Sequence, residues 1–339
     1  MSVILQSANL GPPPWPCVDP FLFCVHHDDA YPPGNGAFGP AASLSGRNLG
    51  QDFAGKDGWR MYHGESIPGF PPHPHRGFET VTVVRKGWID HSDSLGAAAR
   101  FGAGDVQWMT AGRGIVHSEM FPMLETNAPN PLELFQIWIN LPSADKMVEP
   151  YFSMFWNTDI PRIRAEGPAG RFTDVVISAG AMGVHRPPKP PPHSWASRPD
   201  TDVAIWTIRL DSGASWTLPA AQRGDVVRAA YFFRGKTLDV AGQKVNSPRV
   251  MILRPDVPVL LENGESESEI LILQGRPIQE PVASHGPFVM NTTAEIQQAF
   301  DDYRRTRFGG WPWPSQEPVH PADSGRFAKR PDGSVERSS

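Results

Sequence analysis

Apolar and polar residues alternate with a period of two along most of the chain, and glycine, proline or aspartate breaks the alternation every few residues. The stretch ETVTVVRKGWIDHSDS, beginning at Glu79, alternates, turns at Lys86-Gly87 and resumes, and LELFQIWINL alternates again from Leu132 to Leu141. After SADKMVEPYFSMFWNTDIPRIRAEG the same pattern restarts in DVAIWTIRLDSGASWTL, DVVRAAYFFRGKTLDVAGQKV, RVMILRPDVPVLLENG and SEILILQG. Successive side chains of a strand point to opposite faces, so these runs predict half-buried strands grouped into two β-domains in tandem. The predicted boundaries are an N-terminal domain over 1–150, a linker over 151–174 and a second domain over 175–290. VVRKGWIDHSD and AYFFRGKTLDV both read as strand, basic-glycine turn and strand, a weak sign of duplication. The remaining 291–339 opens with the one clear helix. Thr292 to Glu295 form a Thr-x-x-Glu capping box, and Ile296, Ala299, Phe300 and Tyr303 recur at helical spacing. FGGWPWPSQEPVHPADSGRFAKRPDGSVERSS has no periodicity and predicts an extended or disordered tail.

Composition sharpens this picture. Proline at 37 of 339 residues is about twice its usual ~5%, and 32 glycines accompany it, which suits a turn-rich all-β fold. The net charge of −5 offers no strong attraction to a nucleic-acid backbone, and the local clusters RRTR (304–307) and RFAKR (326–330) read as solvated basic groups. Cys17 and Cys24 alone exclude a disulfide framework or a cysteine-rich zinc site, and suit a reducing compartment. The N-terminal residues lack the pattern of a secretion signal and no apolar run approaches the length of a membrane span, so a cytoplasmic protein is expected, nuclear only in a eukaryote.

Candidate chemistry concentrates in two stretches. In PPHPHRGFET, His73 and His75 are two residues apart, so a strand aims both imidazoles at one point. A His-x-His pair alone is weak, because a polar turn explains it equally well. In GDVQWMTAGRGIVHSEM, from Gly104 to Met120, His117 and Glu119 repeat the spacing beside a glycine-rich turn. Separately, His117 reads as a core histidine bonded to a carbonyl and Glu119 as a solvated strand residue. Together, the two strands favour a metal site. Three imidazoles and a carboxylate suit Fe, Ni, Cu, Mn or Zn and leave positions for water, oxygen or substrate. His26, His27, Asp28 and Asp29 are a rival set, but neighbours on an extended chain diverge, so they read as a polar loop at the mouth of the metal pocket. Phe78, Trp108, Met120 and Phe121 flank the candidate ligands and serve either as core or as an apolar slot for an aromatic substrate. The second domain has no histidine between Asp200 and Gly275, and His285 alone reads as structural.

FPPHPHRGFETVT, GDVQWMTAGRGIVHSEM, KMVEP and EPVASHGPFVMNT, with VDPF before them, resemble the pirin family of the cupin superfamily across about residues 17 to 305. The resemblance implies two tandem cupin (jelly-roll-like) β-barrels packed face to face, with metal only in the first. The implied ligands are His73, His75, His117 and Glu119, holding one divalent transition metal per chain, iron(II) foremost, with Ni, Cu, Mn or Zn as alternatives. In many cupins the position of Glu79 is itself a ligand; the closer family implies that Glu79 instead orients a ligand imidazole. The implied activity is that of a quercetin 2,3-dioxygenase: a flavonol binds through its enolate oxygen, Glu119 or a neighbouring carboxylate such as Glu79 accepts the proton, and O2 opens the ring with loss of carbon monoxide. The family also implies an alternative, a non-enzymatic iron-dependent regulator that binds a protein partner as a transcriptional cofactor or a modulator of a metabolic enzyme. An open pocket beside the metal points to the enzyme, and a filled one with a charged surface to the regulator.

Overall fold

This computed structural model describes residues 2–338, and no helix among them is long and apolar enough to cross a membrane. The chain divides into two compact units. The first holds the chain up to Cys24, Trp138–Asn140 and Thr158–Gln279. Its seven-stranded antiparallel sheet runs in the order Ile4–Asn9, Arg249–Leu253, Val227–Arg234, Ser268–Gly275, Ala204–Leu210, Phe172–Ala179 and Arg162–Glu166. A four-stranded sheet, Ser215–Leu218, Val259–Asn263, Thr237–Val240 and Gln243–Asn246, completes the unit. Alternate residues of these strands, among them Val175, Ile177, Trp206, Ile208, Phe232 and Ile270, form one buried cluster.

The second unit holds Val25–Ile137, Leu141–Asn157 and the chain from Glu280 onward. One of its sheets runs Tyr151–Phe155, Val106–Thr110, Phe78–Lys86, Leu132–Asn140 as far as Ile137, and Phe21–Asp29 from Val25 onward. The other runs Val335–Arg337, Phe327–Lys329, Ala98–Gly102, Trp88–Asp93, Ile115–Met120 and Gly69–His75. Val84, Ile89, Met109, Ile115, Leu134 and Phe152 belong to its buried cluster, which fixes the inward face of each strand. The turn at Lys86-Gly87 forms as expected: Gly87 has φ 79°, and a Cβ there would lie 2.8 Å from the Pro131 carbonyl oxygen.

These units differ from the boundaries expected from the sequence. The N-terminal residues join the later part of the chain because Ile4–Asn9 pairs with the edge strand Arg249–Leu253. Residues 151–174, expected as a linker, contain Tyr151–Phe155, which pairs with Val106–Thr110, and Arg162–Glu166, which pairs with Phe172–Ala179. Both strands have five residues, too few for alternation to stand out against the prolines around them.

The helix spans Thr293–Thr306 and its capping box forms, with Thr292 accepting from the Glu295 N–H and burying Ile296 and Ala299. The tail beyond it is extended, as expected, yet firmly held. Phe327–Lys329 adds to the edge of Ala98–Gly102, and the Glu317 carboxylate accepts from the backbone N–H groups of Glu65, Ser66 and Ile67. Its main anchor is buried: Arg100 forms two 2.7 Å bonds to the Asp90 carboxylate and donates to the carbonyls of His320 and Pro321, while the His320 N–H donates to Asp90. Removing one partner of a buried ion pair strands the other, at a cost of about 3–5 kcal/mol. Asp90→Asn is therefore expected to lower the unfolding free energy from urea titration by that amount and to open the tail to trypsin at Arg326 and Lys329. An unfolding free energy within about 1 kcal/mol of the parent would show that the anchor contributes little.

Candidate metal centre

Two adjacent antiparallel strands build the centre, Gly69–His75 and Ile115–Met120, with His73 opposite His117. The period of two brings His73, His75 and His117 onto one face, and their ring centroids stand 4.8, 4.4 and 5.0 Å apart. One nitrogen from each ring lies within 4.8 Å of the others, the spacing of ligands around a single ion.

Their surroundings fit a metal. His73 Nδ1 donates to the Pro71 carbonyl at 2.9 Å, which leaves the Nε2 lone pair for a ligand bond, and His75 is hydrogen-bonded to the backbone of Pro287. His117 is fully buried, yet neither ring nitrogen has a hydrogen-bond partner. Leaving such a group unsatisfied costs about 1–3 kcal/mol, and a coordinate bond would supply the missing interaction. Burial, reinforced for His75 and His117 by the neighbouring imidazoles, pushes His73 down to about 4 and both others well below the usual range. All three are thus neutral at pH 7 and can accept a metal without first losing a proton.

Glu119 shares the inward face of its strand with His117 but stands outside the tight imidazole group. Thr82 Oγ1 shares its one hydrogen between Glu119 Oε1 at 3.0 Å and Gln136 Oε1 at 2.7 Å, and Gln136 Nε2 donates to the Glu119 carboxylate at 3.3 Å. Burial raises its proton affinity above that of an ordinary glutamate. Glu79 stands differently. On Phe78–Lys86 it occupies the face opposite Thr82, and it accepts a 2.7 Å hydrogen bond from Thr110. The expected role of orienting an imidazole therefore does not follow from its position. Of the four apolar flanking residues, Phe78 faces the centre, its ring 5.0 Å from His75, whereas Trp108 packs near Phe155.

Several neighbours escaped sequence reasoning. Thr82 and Gln136 lie on strands that were legible, but nothing in their spacing announced a carboxylate partner. His91 is buried on Trp88–Asp93, its ring 5.5 Å from His117 and its Nε2 3.3 Å from Asp93. Its inward phase was the single available signal.

The residues His26 to Asp29, expected as a loop, end the strand Phe21–Asp29. They do diverge, as expected of neighbours on extended chain. His26 and Asp28 approach Glu133, while His27 Nδ1 meets the Tyr62 hydroxyl at 2.7 Å and Tyr62 donates to Asp29 at 2.6 Å. The strand carries charge on both faces because each face has polar partners waiting. Glu133 also pairs with Arg85 and Lys86, so its carboxylate is already neutralised and this group makes a poor cation site.

Comparison with known proteins identifies the family. The family model described as Pirin matches residues 40–139, and that of the Pirin C-terminal cupin domain matches residues 205–309. Pirin-1 of Arabidopsis thaliana is 39% identical over 247 residues, covering 71% of this chain and 78% of the relative, and Pirin of Homo sapiens is 37% identical with the same coverage. Among solved structures, a quercetin 2,3-dioxygenase from Acinetobacter baumannii superposes with a TM-score of 0.67 at 29% identity, covering 86% of each chain.

Proposed function

The chain belongs to the pirin family, and on that footing we propose that it is a metal-dependent dioxygenase of flavonols, with His73, His75, His117 and Glu119 holding one divalent transition metal, iron(II) foremost. The observation that carries this reading is a buried carboxylate of raised proton affinity, oriented by two donors, on the strand face that carries His117 beside two further neutral imidazoles. A metal bound there would supply Lewis acidity and hold the ionised flavonol next to dioxygen. Glu119 would accept the proton of the flavonol hydroxyl at one carboxylate oxygen. Thr82 and Gln136 hold that carboxylate in place, so no reorientation is needed when the proton moves. Phe78 packs edge-on against His75, its ring 5.0 Å away.

The test is oxygen uptake with quercetin by the full chain, stripped of metal and reloaded anaerobically with iron(II), with carbon monoxide measured in the headspace. Equimolar oxygen loss and carbon monoxide release, absent from the stripped protein, is the expected result. No uptake from a chain shown to hold its iron would replace this reading with that of a metal-dependent partner-binding protein.

A further inference from the structure

We propose that Lys146 is a positioning residue of the metal centre, acting through the Pro287 carbonyl on His75; the inference rests on the metal site of the reading above and not on its flavonol chemistry. KMVEP, which begins at Lys146, and EPVASHGPFVMNT, residues 280 to 292, hold none of the proposed ligands. They meet at the chain just beyond His75.

The hairpin formed by Ala283–His285 and Phe288–Met290 lies against residues 76 and 77. The Val289 N–H donates to the Arg76 carbonyl at 3.0 Å. Gly77, at φ 83°, approaches so closely that a Cβ there would collide with the Val289 carbonyl oxygen. Phe288 is fully buried and anchors the hairpin, its ring 4.9 Å from Phe300 of the helix and 5.8 Å from Phe308. Pro287, in the turn between the two strands, offers its carbonyl to His75. One ring nitrogen donates there, which fixes the tautomer and turns the other toward a metal.

Lys146 closes this arrangement. Its side chain is buried, and its ammonium donates to the Gly77 carbonyl at 2.8 Å and to the Val289 carbonyl at 3.2 Å. One acceptor lies two residues beyond His75 and the other two beyond Pro287, so a single cation spans both partners of the imidazole hydrogen bond. Burial pulls the ammonium down to about 8, against the attraction of Glu280 and Glu295. A methionine would fill the same space without desolvating a charge, but it could not hold two converging carbonyl dipoles together.

Cobalt(II) titrated into the metal-free full chain tests this, because its visible absorption reports ligand geometry while the titration gives affinity. Lys146→Met keeps the apolar stem and removes the donor. Pro287→Gly loosens the carbonyl at a partly exposed turn and leaves the Phe288 anchor in place. Thr292→Ala removes the helix cap, which lowers the melting temperature without touching either carbonyl. The first two variants are expected to bind cobalt about tenfold more weakly, with an altered spectrum, as when a ligand loses its supporting partner. Thr292→Ala is expected to match the parent in both. Parental affinity and spectrum in either of the first two overturn the positioning role whatever the melting temperature, and so does an equal shift in all three. A parent that takes up no cobalt would remove the metal centre and this inference with it, whereas losses confined to the first two stand even if quercetin is not turned over.

Discussion

Replacing His117 with alanine is expected to abolish both metal retention and oxygen uptake while leaving the barrel folded. The first half follows from the donor count, since two imidazoles and a carboxylate already held by Thr82 and Gln136 would remain. Loss of a mere supporting contact costs such sites about 10–100-fold in metal affinity, and loss of a ligand more. The second half follows from His117's surroundings. Without metal its two nitrogens are buried and unpartnered, so alanine removes an unfavourable desolvated group as it opens a small cavity beside His73, His75 and His91. The two effects oppose each other and largely cancel, within about 2 kcal/mol. Elemental analysis gives the metal content, and melting with and without chelator gives the linkage. Chelation should lower the melting temperature of the parent, whose folded state alone offers the site, and leave the variant unmoved. Full metal content in the variant would remove His117 from the ligand set.

Much of this centre was legible because its physics is local. A period of two puts His73 with His75 and His117 with Glu119 on one face, and glycine turns mark where those strands begin. The capping box was likewise written in four residues, Thr292 to Glu295. What the chain concealed depends on distant partners. The tail carries no period because it is held by a buried ion pair between two other strands, Asp90 with Arg100, to which its own backbone bonds, rather than by an apolar stripe of its own. His26 to Asp29 looked like a loop because four adjacent polar residues fit neither face of an ordinary half-buried strand; Glu133 on one side and Tyr62 with Arg60 on the other make the strand tolerable. Glu79 is a different case. Its place in the motif suggested a partner for the imidazoles; one step along a strand reverses the face, and its carboxylate accepts from Thr110.

That reversal gives the second large effect, Glu119→Gln set against Glu79→Gln. Glutamine at 119 keeps the shape of the side chain and one acceptor for Thr82, but it cannot take up a proton. If Glu119 is the base, kcat for quercetin should fall by about 10²–10⁴, the usual worth of a positioned general base, with quercetin affinity unchanged. Metal binding should weaken but persist, because the three imidazoles are untouched and a neutral amide oxygen is still a ligand for a borderline ion. Loading at saturating iron(II) separates the two roles: activity that stays low at full metal content is a proton-transfer defect, whereas activity restored by excess iron is a ligand defect. Glu79→Gln, on the far face of its strand, keeps a carbonyl acceptor for Thr110, so it should leave kcat within about threefold and stability within about 1 kcal/mol. If the Glu79 variant showed the larger fall in kcat, the proton would have to pass through the sheet's other face, and the assignment of Glu119 as its acceptor would be wrong.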